Sequence, residues 1–310
     1  MSKAFYDRVS STAPALLRRW ESAAGMGFRT DTSGARRAVE VWSTTCIVKN
    51  FGRDSGAGGA SGRWADTDRV CLVCPSNPQL RGPSKFPYFP RGGPVPPSPP
   101  AGSQADWQPL GYVNSWGGMD VGSGMLYATS VVDGLVHLHG GWRLAAEIAA
   151  LDLVRDDEKC PVGQAVETVD MPPPEGNGSG AAWLKPFDAI VHVTPPFYGH
   201  HPGPERWLQR CYAAAFRVAF SGDSSTVAAL PLIGAGGRGF PIDLAVEIAA
   251  VACAGWLDKE TRRAEGEGEG ERTVAFGVPD TKVAEALVRV LDRECNAGAD
   301  SDADLDGIRA

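Results

Sequence analysis

The alternation of apolar and polar positions divides the chain into short apolar runs and longer amphipathic ones. Arg37-Ala38-Val39-Glu40-Val41-Trp42 alternates with the period of a strand. The run from Val70 that ends at Asn77, and the run Val227 to Ile233, are near-continuously apolar, as strands buried on both faces are. Gln164 to Thr168, Asp188 to Thr194 and Thr273 to Val278 read as further strands. Helical spacing governs Asp133 to Leu151, Pro204 to Phe220 and Thr281 to Leu291, and Pro241 opens one more helix. Ala15, Leu16, Leu17, Trp20 and Ala24 are also broadly helical in spacing, with Ser10 or Ser11 as a cap, so residues 1–38 are expected to hold an accessory helix and a linker. Strands alternating with helices predict an α/β fold: a three-layer α/β/α sandwich with a mixed central sheet, its ligand at the carboxyl ends of the strands.

Composition sharpens this outline in three places. With 43% hydrophobic and 22% charged residues, the 310-residue chain is ordinary for a globular protein. Its formal charge of −7 comes from Ala264 to Glu271 and from Asn296 to Ala310, and a main domain is expected over 39–293, followed by an acidic flexible tail over 294–310. Ten of the 24 prolines fall in 78–130, whose proline-rich half cannot be a regular helix or a central strand. That segment reads as an insertion forming a lid or rim, with Phe86, Tyr88, Phe89, Trp107 and Trp116 as candidate ligand contacts. No basic stripe argues for nucleic acid, and no apolar run reaches membrane-spanning length, so neither partner is expected.

The seven cysteines are too scattered for a disulfide framework and point to a reducing, intracellular and cytoplasmic setting. Cys71 and Cys74 are spaced as C-x-x-C, but positions three apart in a strand face opposite ways and no second pair follows. His200-His201 lacks cysteine or acidic partners, so no metal and no cofactor are expected. The sharpest chemical signal is Gly234-Ala235-Gly236-Gly237-Arg238-Gly239-Phe240, a glycine turn between a strand and a helix N-terminus. Such a turn can aim its amides at phosphate oxygens, or can serve only to pack the connection tightly.

Four ordered blocks resemble the macrodomain family. Val70-Cys71-Leu72-Val73-Cys74-Pro75-Ser76-Asn77 is similar to its strand ending in Asn-Ala-Ala-Asn, with Cys74 at the first Asn and Asn77 at the second. Val132-Asp133-Gly134-Leu135-Val136-His137 resembles the helix start Val-Asp-Gly-x-Ile-His of the MacroD-type branch. Cys160-Pro161-Val162-Gly163-Gln164-Ala165 resembles Cys-Pro-Thr-Gly-Glu-Ala, and Gly234 to Pro241 the second ligand loop, Ser-Thr-Gly-x-Tyr-Gly-Phe-Pro.

This resemblance implies a macrodomain-like sandwich that binds ADP-ribose or ADP-ribosylated protein and hydrolyses ADP-ribosyl esters, with a non-catalytic reader of ADP-ribose as the alternative. By the same resemblance Asp133 and Asn77 are the catalytic pair, Asp133 on the water and Asn77 on the distal ribose. Gly234, Ala235, Gly236, Gly237, Arg238, Gly239 and Phe240 would line the diphosphate. Pro231 would ordinarily demote its strand to an edge, but the family places a proline in that central strand. His137 and His192 are expected to be structural. The chain departs from the family at Thr45-Cys46-Ile47, where the adenine-reading Asp is missing, and at Arg238, where an aromatic is usual; that arginine is expected to meet a phosphate or to face solvent. The insertion holds neither Cys nor His, the ligands that zinc-containing macrodomains keep there.

Overall fold

The computed structural model describes residues 14–22, 36–44, 46–52, 64, 68–81, 88–90, 125–127, 132–169, 187–222, 226–258 and 270–301. Its strands are β1 (Ala15–Glu21), β2 (Arg37–Ser43), β3 (Arg69–Pro75), β4 (Tyr88–Pro90), β5 (Met125–Tyr127), β6 (Ala165–Val169), β7 (Ala189–Val193), β8 (Thr226–Leu230) and β9 (Arg272–Val278). Its helices are α1 (Ile47–Asn50), α2 (Val132–Ala150), α3 (Pro204–Ala219), α4 (Ile242–Leu257) and α5 (Thr281–Ser301). Seven strands form one sheet in the order β1-β2-β9-β8-β3-β7-β6. The interior pairings from β2 to β7 are parallel and the two edge strands are antiparallel, which makes the sheet mixed. This is the α/β sandwich with a mixed central sheet expected from the sequence.

Apolar runs explain the centre. β7, β8 and β9 are buried along their whole length, so each needs helices on both faces. One face packs Val39, Val41, Cys71, Val73, Val191 and Val193 against α3, α4 and α5. The other packs Val70, Leu72, Cys74, Ile190 and Ala229 against α1 and α2. Each fully buried aliphatic side chain here contributes about 1.5–3 kcal/mol. Cys71 and Cys74 lie on opposite faces, as strand parity requires, and all seven cysteines are free.

Four expectations need correction. The helix expected near the N-terminus is strand β1, antiparallel to β2 with a bulge between Leu16 and Arg18. That bulge breaks the period of two, so the apolar positions imitate a helix. The strand expected over 227–233 stops at Leu230, which leaves Pro231 outside the ladder and relieves the conflict between proline and a central strand. The last helix runs on to Ser301 rather than ending at Leu291, so the first residues of the acidic tail are helical. Finally, α1 follows Thr44, where the sequence pattern had indicated no helix.

Of the insertion, the short antiparallel ladder of β4 and β5 is described. Tyr88 and Phe89 lie in that ladder, opposite Tyr127 and Leu126, whereas Phe86, Trp107 and Trp116, the other candidate ligand contacts, lie outside the described residues. No described helix is long and apolar enough to cross a membrane.

Candidate functional site at the carboxyl ends of β3 and β7

The site begins with strand parity. On the face beneath α2, β3 presents Val70, Leu72 and Cys74, and β7 presents Ile190 and His192, with Cys74 and His192 directly paired across the parallel ladder. The row thus changes from apolar to polar at the strand ends, where α2 begins. Asp133, in the first turn of α2, lies over this polar end and is buried. The positive end of the helix dipole favours its carboxylate there.

Ser76 ties the site together. Its amide donates to the Val193 carbonyl at 2.7 Å, which fixes the backbone just beyond β3 against β7. Its hydroxyl donates to Asp133 Oδ1 at 2.8 Å, and its carbonyl accepts from the guanidinium of Arg238. Asp133 Oδ1 also receives the Cys74 thiol at 3.5 Å, and His137 Nε2 stands 3.5 Å away, one helical turn on. Ser76 was missed in the sequence reading, although its position two residues after Cys74 puts both side chains on one face.

Asn77 is placed differently from what its expected role demands. Its Oδ1 accepts from the Arg81 amide at 3.0 Å while its Nδ2 donates to the Arg81 carbonyl, so both ends of the carboxamide close a turn. That turn holds Leu80 at φ +54 and is anchored where the Pro78 carbonyl accepts from the amides of Lys159 and Cys160 at 2.8 and 2.9 Å. The Cys160-Pro161-Val162-Gly163 block is therefore scaffold. Gly163 sits at φ +81 with its amide on the Thr194 carbonyl, and a Cβ there would come within 2.7 Å of the Trp207 ring.

The glycine loop faces this corner. Gly234, at φ +91, packs between Leu208 and Phe240, and the Phe240 amide donates back to the Gly234 carbonyl at 3.2 Å. Gly239 closes the loop onto the Gly236 carbonyl at 3.0 Å. Among the described residues, the amides of Gly236, Gly237 and Arg238 meet no hydrogen-bond acceptor, and a Cβ built on Gly236 meets nothing within 4 Å. Gly234 is thus required by packing, whereas Gly236 borders open space.

Arg238 is half-buried rather than turned out to solvent. It stacks over Phe197 at 4.2 Å from the ring centroid and reaches the Ser76 carbonyl, while its own carbonyl accepts from Tyr198 at 3.0 Å. Burial lowers its pKa to about 10 against the opposing pull of Asp133, so it remains a cation at neutral pH.

Cys74, Asp133 and His192 are all buried, and each offers one ligand atom within 4.8 Å of the others. His192 Nε2 shares a 3.0 Å hydrogen bond with Thr168 Oγ1, whereas its Nδ1 has no partner among the described residues. Burial holds His192 neutral with a pKa near 4, Asp133 opposing and His137 reinforcing that shift. Burial also pushes the Cys74 thiol well up, and the charge of Asp133 adds to it.

A family model described as the Macro domain matches residues 123–249. A macro domain-containing protein of Vibrio parahaemolyticus is 30% identical over 122 residues, 39% of this chain and 64% of that protein, so the chain spans just under two thirds of this curated relative. The Oceanobacillus iheyensis macrodomain with ADP aligns at 16% identity over 89% of this chain and 97% of that one, with a TM-score of 0.46. A variant of the same macrodomain with ADPR aligns at 15% identity over 89% and 98%, with a TM-score of 0.47.

Proposed function

Because the chain belongs to the Macro domain family through residues 123–249, we propose that it binds ADP-ribose between Asp133 and the 234–240 loop and hydrolyses ADP-ribosyl esters. The ester is either one to a protein carboxylate or the acetyl ester of free ADP-ribose. The observation that carries this reading is the Asp133 carboxylate, buried at the strand ends and held by Ser76 Oγ at 2.8 Å. A carboxylate so fixed can accept a proton from water as that water attacks, and general-base assistance of this kind is worth about 10²–10⁴ in rate. Water adds its oxygen across the cleaved ester bond, giving ADP-ribose and a carboxylic acid. The amides of Gly236, Gly237 and Arg238, which meet no acceptor among the described residues, suit a diphosphate, and the Arg238 guanidinium supplies a fixed positive charge at the wall of the same loop.

A non-catalytic reader of ADP-ribose is favoured by one observation: the Asn77 carboxamide is fully engaged with the Arg81 backbone, so it must leave that turn to meet a ribose. Two measurements on one preparation separate the readings. Calorimetric titration with ADP-ribose should give saturable heat, and a mono-ADP-ribosylated carboxylate substrate should release ADP-ribose in single turnover. Heat without release selects the reader; neither heat nor a thermal shift in folded protein removes both readings.

A further inference from the structure

We propose that Cys74, Asp133 and His192 form a binding site for a divalent transition metal, zinc by preference, at the carboxyl ends of β3 and β7 beneath the start of α2. The argument stands on geometry and donor chemistry and does not depend on the hydrolase reading. One thiol, one carboxylate and one imidazole are the soft, hard and intermediate donors from which protein zinc sites are built. In a tetrahedral site with bonds of about 2.0–2.3 Å, neighbouring donor atoms are separated by about 3.5 Å. Cys74 Sγ and Asp133 Oδ1 are 3.5 Å apart, and an imidazole nitrogen of His192 completes the trio within 4.8 Å. A small contraction around an ion brings all three to bonding distance.

Two buried nitrogens point the same way. His192 has no solvent exposure, and with its Nε2 paired to Thr168 the Nδ1 is left without a hydrogen-bond partner among the described residues. An unsatisfied buried polar atom is costly unless something is coordinated there. Thr168 also fixes the ring from behind, as an outer partner does for a metal-bound histidine. His137 Nε2 is the second such atom, 3.5 Å from the same Asp133 oxygen. Binding would release the Cys74 thiol proton to solvent and leave the thiolate on the metal, with water in the fourth position. It would also commit Asp133 to the metal, so ester hydrolysis through that carboxylate and metal occupancy would compete.

Cobalt is the direct probe. Metal-free wild-type protein titrated with Co²⁺ should develop, at one equivalent, a near-ultraviolet thiolate-to-cobalt charge-transfer band and the visible bands of a tetrahedral ion, both removed by Zn²⁺. Cys74→Ser should lose the charge-transfer band, Cys71→Ser should keep it, and His192→Gln should weaken Co²⁺ binding at least tenfold. X-ray absorption of the zinc-loaded wild type, which needs no variant to fold, should give one sulfur and the remaining ligands nitrogen or oxygen. Absence of the charge-transfer band from wild type, its persistence in folded Cys74→Ser, or zinc bound by sulfur alone or without sulfur would overturn the proposal.

Discussion

Ser76 donates its hydroxyl to Asp133 at 2.8 Å while its own carbonyl accepts from Arg238, so a single residue beyond β3 joins the start of α2 to the glycine loop. Removing that hydroxyl tests whether the join matters. Ser76→Ala should lower stability by about 1.5–3 kcal/mol, the range for a hydrogen bond to a charged group. It should also lower kcat about tenfold while ADP-ribose affinity stays within several-fold, with Ser76→Thr restoring part of the rate. Equal losses in affinity and kcat would assign Ser76 a purely structural role.

Asp133→Ala should slow release of ADP-ribose by about 10²–10⁴ and leave ADP-ribose affinity within several-fold of wild type, since the carboxylate is assigned to the attacking water. Asp133→Asn, which keeps shape and hydrogen bonding but not basicity, should be as slow. Urea unfolding curves must accompany the rates, because Asp133 also serves the start of α2. Wild-type rates in a folded variant would count against the hydrolytic reading.

Two glycines of one loop should behave oppositely. Gly236 borders open space, so Gly236→Val should leave the melting temperature nearly unchanged yet weaken ADP-ribose binding by tenfold or more. Gly234→Val, at φ +91 and 3.1 Å from Leu208 and Phe240, should destabilise the fold itself. Thermal melts with and without ADP-ribose distinguish the two.

His192 sets a pH dependence whose sign follows from its depressed pKa. The folded value is near 4 and the ordinary one 6.5, so the unfolded chain takes up the proton first as pH falls. Its full contribution is present above pH 6.5 and is lost progressively down to pH 4, amounting to about 3 kcal/mol at most. Asp133, His137 and the Cys74 thiol face the same imidazole and shape the profile. Unfolding midpoints at pH 7 and pH 4.5 should diverge for wild type and converge for His192→Gln; equal slopes would remove His192 as the cause.

How much of this was written in the sequence depended on whether the signal was local. β7, β8 and β9 announced themselves because burial on both faces leaves a continuous apolar run, and α3 and α4 because proline marks their starts. β1 was hidden because its bulge scrambles the alternation and its strand character comes from pairing with β2, twenty residues away. Asp133 and the glycine loop were visible as motifs. The roles of Ser76, Arg238 and Asn77 were not, since each is decided by a partner the sequence does not name: Asp133 for the first, Ser76 and Phe197 for the second, Arg81 for the third. The buried trio of Cys74, Asp133 and His192 was equally illegible, because it needs the pairing of β3 with β7 and the seat of α2 above them.

At the far margin of the sheet, β1 does for β2 what a selvedge does for cloth. It satisfies the outer row of backbone groups on β2, and Arg19 reaches over to Glu40 at 2.5 Å and Glu271 at 2.6 Å. Proteolytic nicking between Ser22 and Arg36 followed by loss of β1 would bare an edge that invites pairing with another molecule, and would take the guanidinium from a buried carboxylate. Three strands, β2, β9 and β8, separate that margin from β3, so the first sign of such damage would be clumping of molecules whose ligand corner is still intact.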